Sequence, residues 1–142
     1  MAARSSGPEV LVDTSVAVAL SVADHEHHHA TRTALGGRRL GLAGHAAFET
    51  FSVLTRLPVP ARRTPATVAR LLAVGFPHTR FLGAAAEAAL LGELASANIG
   101  GGAVYDALVG ACALEHAALL ATRDRRALET YRALEVRVEL IA

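Results

Sequence analysis

Val10-Leu11-Val12-Asp13-Thr14-Ser15-Val16 runs from an apolar stretch into a carboxylate and two hydroxyls, and then back into apolar sequence. Three successive apolar residues without alternation read as a strand covered on both faces, the mark of a parallel sheet. Asp13 ends that strand, and residues 16–22 read as a short helix capped by Thr14 or Ser15. An acid placed there sits at the carboxyl end of a buried strand, where open α/β sheets bind their ligands.

The strand–helix alternation continues downstream. Asp24 is a candidate N-cap for a helix through Leu35, which Gly36-Gly37 stops. A strand over 39–43 leads into a helix over 44–57, ended by Pro58 and Pro60. Thr64-Pro65 pairs a capping residue with proline at the first helical position and opens a helix to about residue 74. A third strand is expected at 79–82 and helices at 84–97 and 103–117. A strand at 119–122, a helix at 125–134 and a last strand at 136–141 complete the chain. This pattern predicts an α/β fold with a central parallel sheet and helices on both faces. Residues 1–9 are expected to form a flexible tail and 10–142 a single domain, large enough to bury a core.

Composition excludes several chemistries. The 14 basic residues are all Arg, so mechanisms built on a catalytic lysine, phosphate-loop nucleotidases among them, are ruled out. The all-Arg complement also fits a GC-rich genome, and a net charge of +1 does not by itself announce a nucleic-acid binder. Cys112 is the single cysteine, so no intrachain disulfide exists and a reducing cytoplasm is the expected compartment. Asp13 interrupts the apolar stretch at 10–23, which argues against a signal peptide. No stretch must be a membrane span.

Only four of the 13 acidic residues are Asp, and three of these occupy special places. Asp13 follows the strand at 10–12, and Asp124 follows the strand at 119–122 by one residue. Both belong at the carboxyl edge of the sheet, on strands expected to be central. Asp106 lies in an almost entirely apolar helix, with Val109, Gly110 and Ala113 on its face. A carboxylate there is costly unless paired, hydrogen-bonded or bound to metal. Its position in the first helical turn, favourable to the helix dipole, is the plain alternative. Glu49 shares a helix face with Ser52 and Arg56 and, taken alone, reads more readily as a solvated structural residue. Taken together, the four carboxylates would repel one another, and a hard divalent cation such as Mg²⁺ or Mn²⁺ would relieve that repulsion. Replacing Asp13 or Asp106 is therefore expected to cost activity and to spare folding.

Four segments carry a family resemblance. Residues 11–16 (LVDTSV) resemble the opening motif of PIN domains. Residues 48–57 (FETFSVLTRL) resemble the second acidic motif of VapC-type members. Residues 106–116 (DALVGACALEH) resemble the third, and residues 120–126 (LATRDRR) are similar to the fourth. The motifs occur in the family's order and span nearly the whole chain. The resemblance implies a three-layer α/β/α PIN-like sandwich and Mg²⁺- or Mn²⁺-dependent cleavage of RNA. It also implies homodimerisation and inhibition by a cognate VapB-type antitoxin, in the manner of a type II toxin–antitoxin module. By position, Asp13, Glu49, Asp106 and Asp124 match the family's catalytic, metal-binding acids. Thr14 and Thr122 match small polar positions that support them. Many relatives carry a further acid two residues after the fourth; Arg126 stands there, which puts a full second metal site in doubt.

Arg123, Arg125 and Arg126 flank Asp124 and are candidates to hold RNA phosphates. The acidic pocket is expected to receive an Arg or Lys of the antitoxin near Asp13, Glu49 and Asp106. His25, His27, His28 and His29 read as a solvent-facing helix start, Cys112 as a small core residue and Gly100-Gly101-Gly102 as a flexible helix entry. Three other readings stand beside this one. A phosphoryl-receiver domain also clusters Asp residues, but it relies on a lysine that this chain lacks. A catalytically silent PIN-like interaction module would more naturally have lost one of the four acids. A non-toxin PIN nuclease acting on another nucleic acid is compatible with the same residues.

Overall fold

The computed structural model describes residues 9–142. The tail expected over 1–9 lies outside them except for Glu9, which instead begins the first strand and pairs with Arg80 at 2.9 Å. The strands are β1 (Glu9–Val12), β2 (Arg39–Leu42), β3 (Leu119–Thr122) and β4 (Val138–Leu140). All three pairings are parallel, in the order β2-β1-β3-β4, so β1 and β3 are central as their sequences suggested.

The helices are α1 (Thr14–Ser21), α2 (His28–Leu35), α3 (His45–Thr55), α4 (Pro65–Gly75), α5 (Ala84–Ser96), α6 (Ala103–Glu115) and α7 (Leu128–Ala133). Side chains alternate across the central strands and feed two cores. Val10, Val12 and Ala121 pack with Val16, Leu54, Val68 and Leu72 on one face. Leu11 and Leu120 pack with Val109, Cys112, Ala113 and Tyr131 on the other. The result is a three-layer α/β/α sandwich, and continuous apolar strands are what burial on both faces demands.

Several boundaries differ from the sequence reading, each for a local reason. α1 is capped by Asp13, whose carboxylate accepts from Val16 N at 3.3 Å, and not by Thr14 or Ser15. α2 starts at His28, because His25 Nδ1 accepts from His27 N at 3.0 Å in a preceding turn while Asp24 stays exposed. The expected strand at 79–82 reduces to one bridge, Ala43 to Arg80. There Thr79 Oγ1 takes the Leu42 N–H at 2.9 Å, in place of a backbone carbonyl that would extend the ladder. Gly41 permits this approach, since a Cβ on it would lie 2.1 Å from His78 O. The helix expected at 125–134 opens instead with a 3₁₀ turn (Arg125–Ala127). The Thr64-Pro65 start of α4 is as expected, with Thr64 Oγ1 accepting from Thr67 N at 3.2 Å.

The chain leaves β1 for one side of the sheet and β3 for the other. Between them lies a switch point, a crevice beyond the strand ends where α/β sheets bind ligands. Asp13 follows β1 directly, and Asp124 lies two residues after β3.

Candidate active site

Asp13 is the hub. It is only 4% exposed, and its carboxylate accepts four hydrogen bonds. Oδ1 takes Ser15 Oγ at 2.5 Å and Val16 N at 3.3 Å. Oδ2 takes Thr122 Oγ1 through a short bond and Tyr131 OH at 2.9 Å. One carboxylate thus ties β1, α1, β3 and α7 together. Burial raises its pKa against the opposing pull of these donors.

Thr122 and Ser15 pass the network on to the β3 exit. Thr122 Oγ1 also accepts from Asp124 N at 3.0 Å, and Ser15 Oγ accepts from Arg123 N at 2.9 Å. Asp124 is held by its own turn, accepting from Arg126 N at 2.9 Å.

Asp106 lies half-buried in the first turn of α6. Burial, followed by the charges of Asp124, Glu49 and Asp13, pushes its carboxyl up to about 6. The other three candidate acids therefore all act on Asp106. Glu49 reaches the same space from α3, with His45 Nε2 3.9 Å from its carboxylate. Although almost entirely apolar, α6 is not buried all round: Val109, Cys112 and Ala113 face the core, while Tyr105 and Leu114 are exposed.

The supporting residues differ from the sequence expectation. Thr122 contacts Asp13 directly. Thr14 does not: its buried Oγ1 has no hydrogen-bond partner among the described residues. Ser15 and Tyr131 fill that role, and neither stood out in the sequence. Tyr131 comes from 118 positions away. It fits because Gly110 of α6 leaves room; a Cβ there would meet the tyrosine ring at 3.1 Å.

The arginines also divide. Arg123 is partly engaged within the protein, its Nη1 donating to Ala142 O at 2.7 Å and Thr31 Oγ1 at 3.2 Å. Arg126 leans on Asp124 at 3.4 Å and Arg125 is exposed. Cys112 is buried and its thiol is pushed up to about 12, which removes it as a nucleophile.

Among the described residues no three acidic, His or Cys side chains form a ready metal cage. The donors nevertheless suit a hard hydrated cation. All are oxygens, Glu49 and Asp124 keep partly exposed carboxylates, and the Thr14 hydroxyl lacks a protein partner. A cation that keeps most of its waters needs only one or two carboxylates directly. Asp13 can join such a site only if one of its four donors turns away, since they fill its lone pairs.

For Asp13 the hub corrects the expectation that its replacement spares folding. Asp13→Ala removes the α1 cap and strands three hydroxyls, that of Tyr131 in the core. At about 1–3 kcal/mol for a stranded buried group, partly offset by losing a buried charge, the net cost is about 2–4 kcal/mol. The melting temperature should fall by roughly 5–15 °C. A thermal melt within a degree or two of wild type would show that these bonds carry little.

The PIN domain family model matches residues 10–133. Ribonuclease VapC27 of Mycobacterium tuberculosis is 47% identical over 135 residues, covering 95% of this chain and 98% of that protein. Ribonuclease VapC40 of the same organism is 48% identical over 130 residues, covering 91% and 96%.

Proposed function

The chain belongs to the PIN-domain family, among its VapC-type ribonucleases, and from that premise we propose that it hydrolyses RNA phosphodiester bonds as the toxin of a type II toxin–antitoxin pair. What supports the chemistry is that the pKa of the half-buried Asp106 carboxyl is raised by burial and by the charges of Asp124, Glu49 and Asp13. Dependence on a divalent metal is general among PIN nucleases, and for this chain the ion is Mg²⁺ or Mn²⁺. Glu49, Asp106 and Asp124 would hold it through oxygens, with Asp13 joining from its buried position. The ion supplies Lewis-acid stabilisation of charge on the phosphodiester and makes nearby water more acidic. Asp13 and Thr122 fix the Asp124 turn, and the carboxylates orient attacking water and take up its proton.

The partners follow from surface and charge. α1 spends its apolar residues in the core, whereas α5 buries only Leu90 and leaves Leu91 74% exposed. A groove of about 410 Å³ between α5 and α6, lined by Leu90, Leu94, Val104 and Leu108, continues that face. We assign it to a homodimer contact. The antitoxin meets the acidic edge with an Arg or Lys. Asp13 is too deeply buried for that contact, which passes instead to Glu49 and Asp106. No described helix is long and apolar enough to cross a membrane, and the cytoplasm is the proposed site of action.

Two measurements test this reading. The purified protein should cut single-stranded RNA and leave DNA of the same sequence intact; cutting DNA alone favours a non-toxin nuclease, and cutting neither favours a silent module. The antitoxin encoded beside this gene should bind Glu49→Ala at least about tenfold more weakly, the scale of one lost charged hydrogen bond. Unchanged affinity in calorimetric titration would mean inhibition by steric cover alone.

A further inference from the structure

We propose that His45 and Tyr105 form a stacking platform for an unpaired nucleobase of the RNA, beside the acidic site. The inference rests on the ribonuclease reading and adds to it a residue that positions substrate. The two rings lie with centroids 5.2 Å apart and planes 20° from parallel. Each is tied to a candidate acid. His45 stands one helical turn before Glu49 and reaches its carboxylate at 3.9 Å. Tyr105 immediately precedes Asp106. The platform thus bridges the two helices, α3 and α6, that bring acids to the site, and Ala46 and Val109 anchor both in the same core.

Tyr105 is 53% exposed although one side of its ring packs on His45. That exposure has a use at this edge. Four carboxylates repel the RNA backbone, Arg123 spends one nitrogen on Ala142 and Thr31, and Arg126 lies against Asp124. Phosphate attraction, the usual main source of nucleic-acid affinity, is therefore opposed at this edge. Base stacking on an aromatic face is insensitive to that charge and serves unpaired bases of single-stranded RNA. A base on the outer face of Tyr105 would extend the His45–Tyr105 stack and hold the neighbouring phosphodiester against the acids.

The alternative is that the ring pair only braces α3 against α6. Tyr105→Leu keeps bulk and removes the aromatic face, whereas Tyr105→Phe keeps the face. Cleavage kinetics on a short fluorescent single-stranded RNA should show KM raised roughly 5- to 100-fold in Tyr105→Leu, as alanine-scale stacking losses predict. Its kcat should stay within about threefold, and Tyr105→Phe should match wild type. An abasic nucleotide next to the cleaved bond should weaken wild-type binding by a similar factor and leave Tyr105→Leu unaffected. Unchanged KM in Tyr105→Leu, or an equal abasic penalty in both proteins, overturns the platform while leaving the ribonuclease reading intact. A raised KM that comes with a lowered melting temperature, and that Tyr105→Phe does not restore, also overturns it in favour of bracing. Failure of the wild-type protein to bind or cut RNA overturns the underlying reading, and the platform with it.

Discussion

In excess EDTA, RNA cleavage is expected to fall to background, and added Mg²⁺ or Mn²⁺ is expected to restore it. The reason is the sign of the charge at the switch point. Asp13, Glu49 and Asp124 all act on Asp106 there, and an RNA phosphodiester brings further negative charge. The chain has no lysine, Arg123 donates to Ala142 and Thr31, and Arg126 leans on Asp124. Arg125 and Arg126 at the rim do not offset four carboxylates and a phosphodiester, so further positive charge has to be imported. The buried Cys112 thiol, pushed up to about 12, offers no covalent route instead. The all-oxygen donor set favours a hard ion over a thiol- or imidazole-seeking one. Cleavage at full rate under chelation would refute this reading of the site.

Asp106→Asn is expected to lower the cleavage rate at least about 100-fold while leaving the melting temperature unchanged or slightly raised. Even partners that only orient metal ligands cost 10–100-fold when lost, which sets the floor. The stability half of the prediction follows from Asp106's surroundings. Its carboxylate is half-buried, accepts no hydrogen bond among the described residues, and is opposed by three like charges. An isosteric amide removes that repulsion without opening a cavity. The contrast with Asp13 is the test of the assignment. Asp13→Ala should lose stability because four donors lean on it, whereas Asp106→Asn should lose activity alone. If Asp106→Asn unfolds the protein, or keeps activity within about threefold, the centre of the site has been misplaced.

Much of the frame was legible because it is written in local pattern. The continuous apolar runs at 10–12 and 119–122 announced buried parallel strands, and β1 and β3 are the central pair. Thr64-Pro65 announced a helix start that the structure keeps. Where local pattern misled, a side chain replaced the backbone partner it was meant to find. Thr79 Oγ1 took the Leu42 N–H and shortened a strand to a bridge, and His25 Nδ1 took the His27 N–H and delayed α2. Both are competitions between side-chain and backbone hydrogen bonding, which residue periodicity does not record.

The sequence by itself determined the α/β class, the positions of Asp13 and Asp124 at the strand ends, and the exclusion of lysine chemistry. Each depends on neighbours in the chain or on residue identity alone. Tertiary structure decided what surrounds those acids. Tyr131 reaches Asp13 across 118 positions only because Gly110 lets α7 approach α6, and no spacing rule encodes such a pair. Arg123 and Arg126 look alike in sequence, yet one is held by Ala142 and Thr31 and the other lies against Asp124. Thr14 and Ser15 are adjacent hydroxyls, and only Ser15 reaches the carboxylate, because the first turn of α1 fixes which oxygen points at Asp13. Direction in three dimensions, set by packing, is the property a linear pattern does not contain.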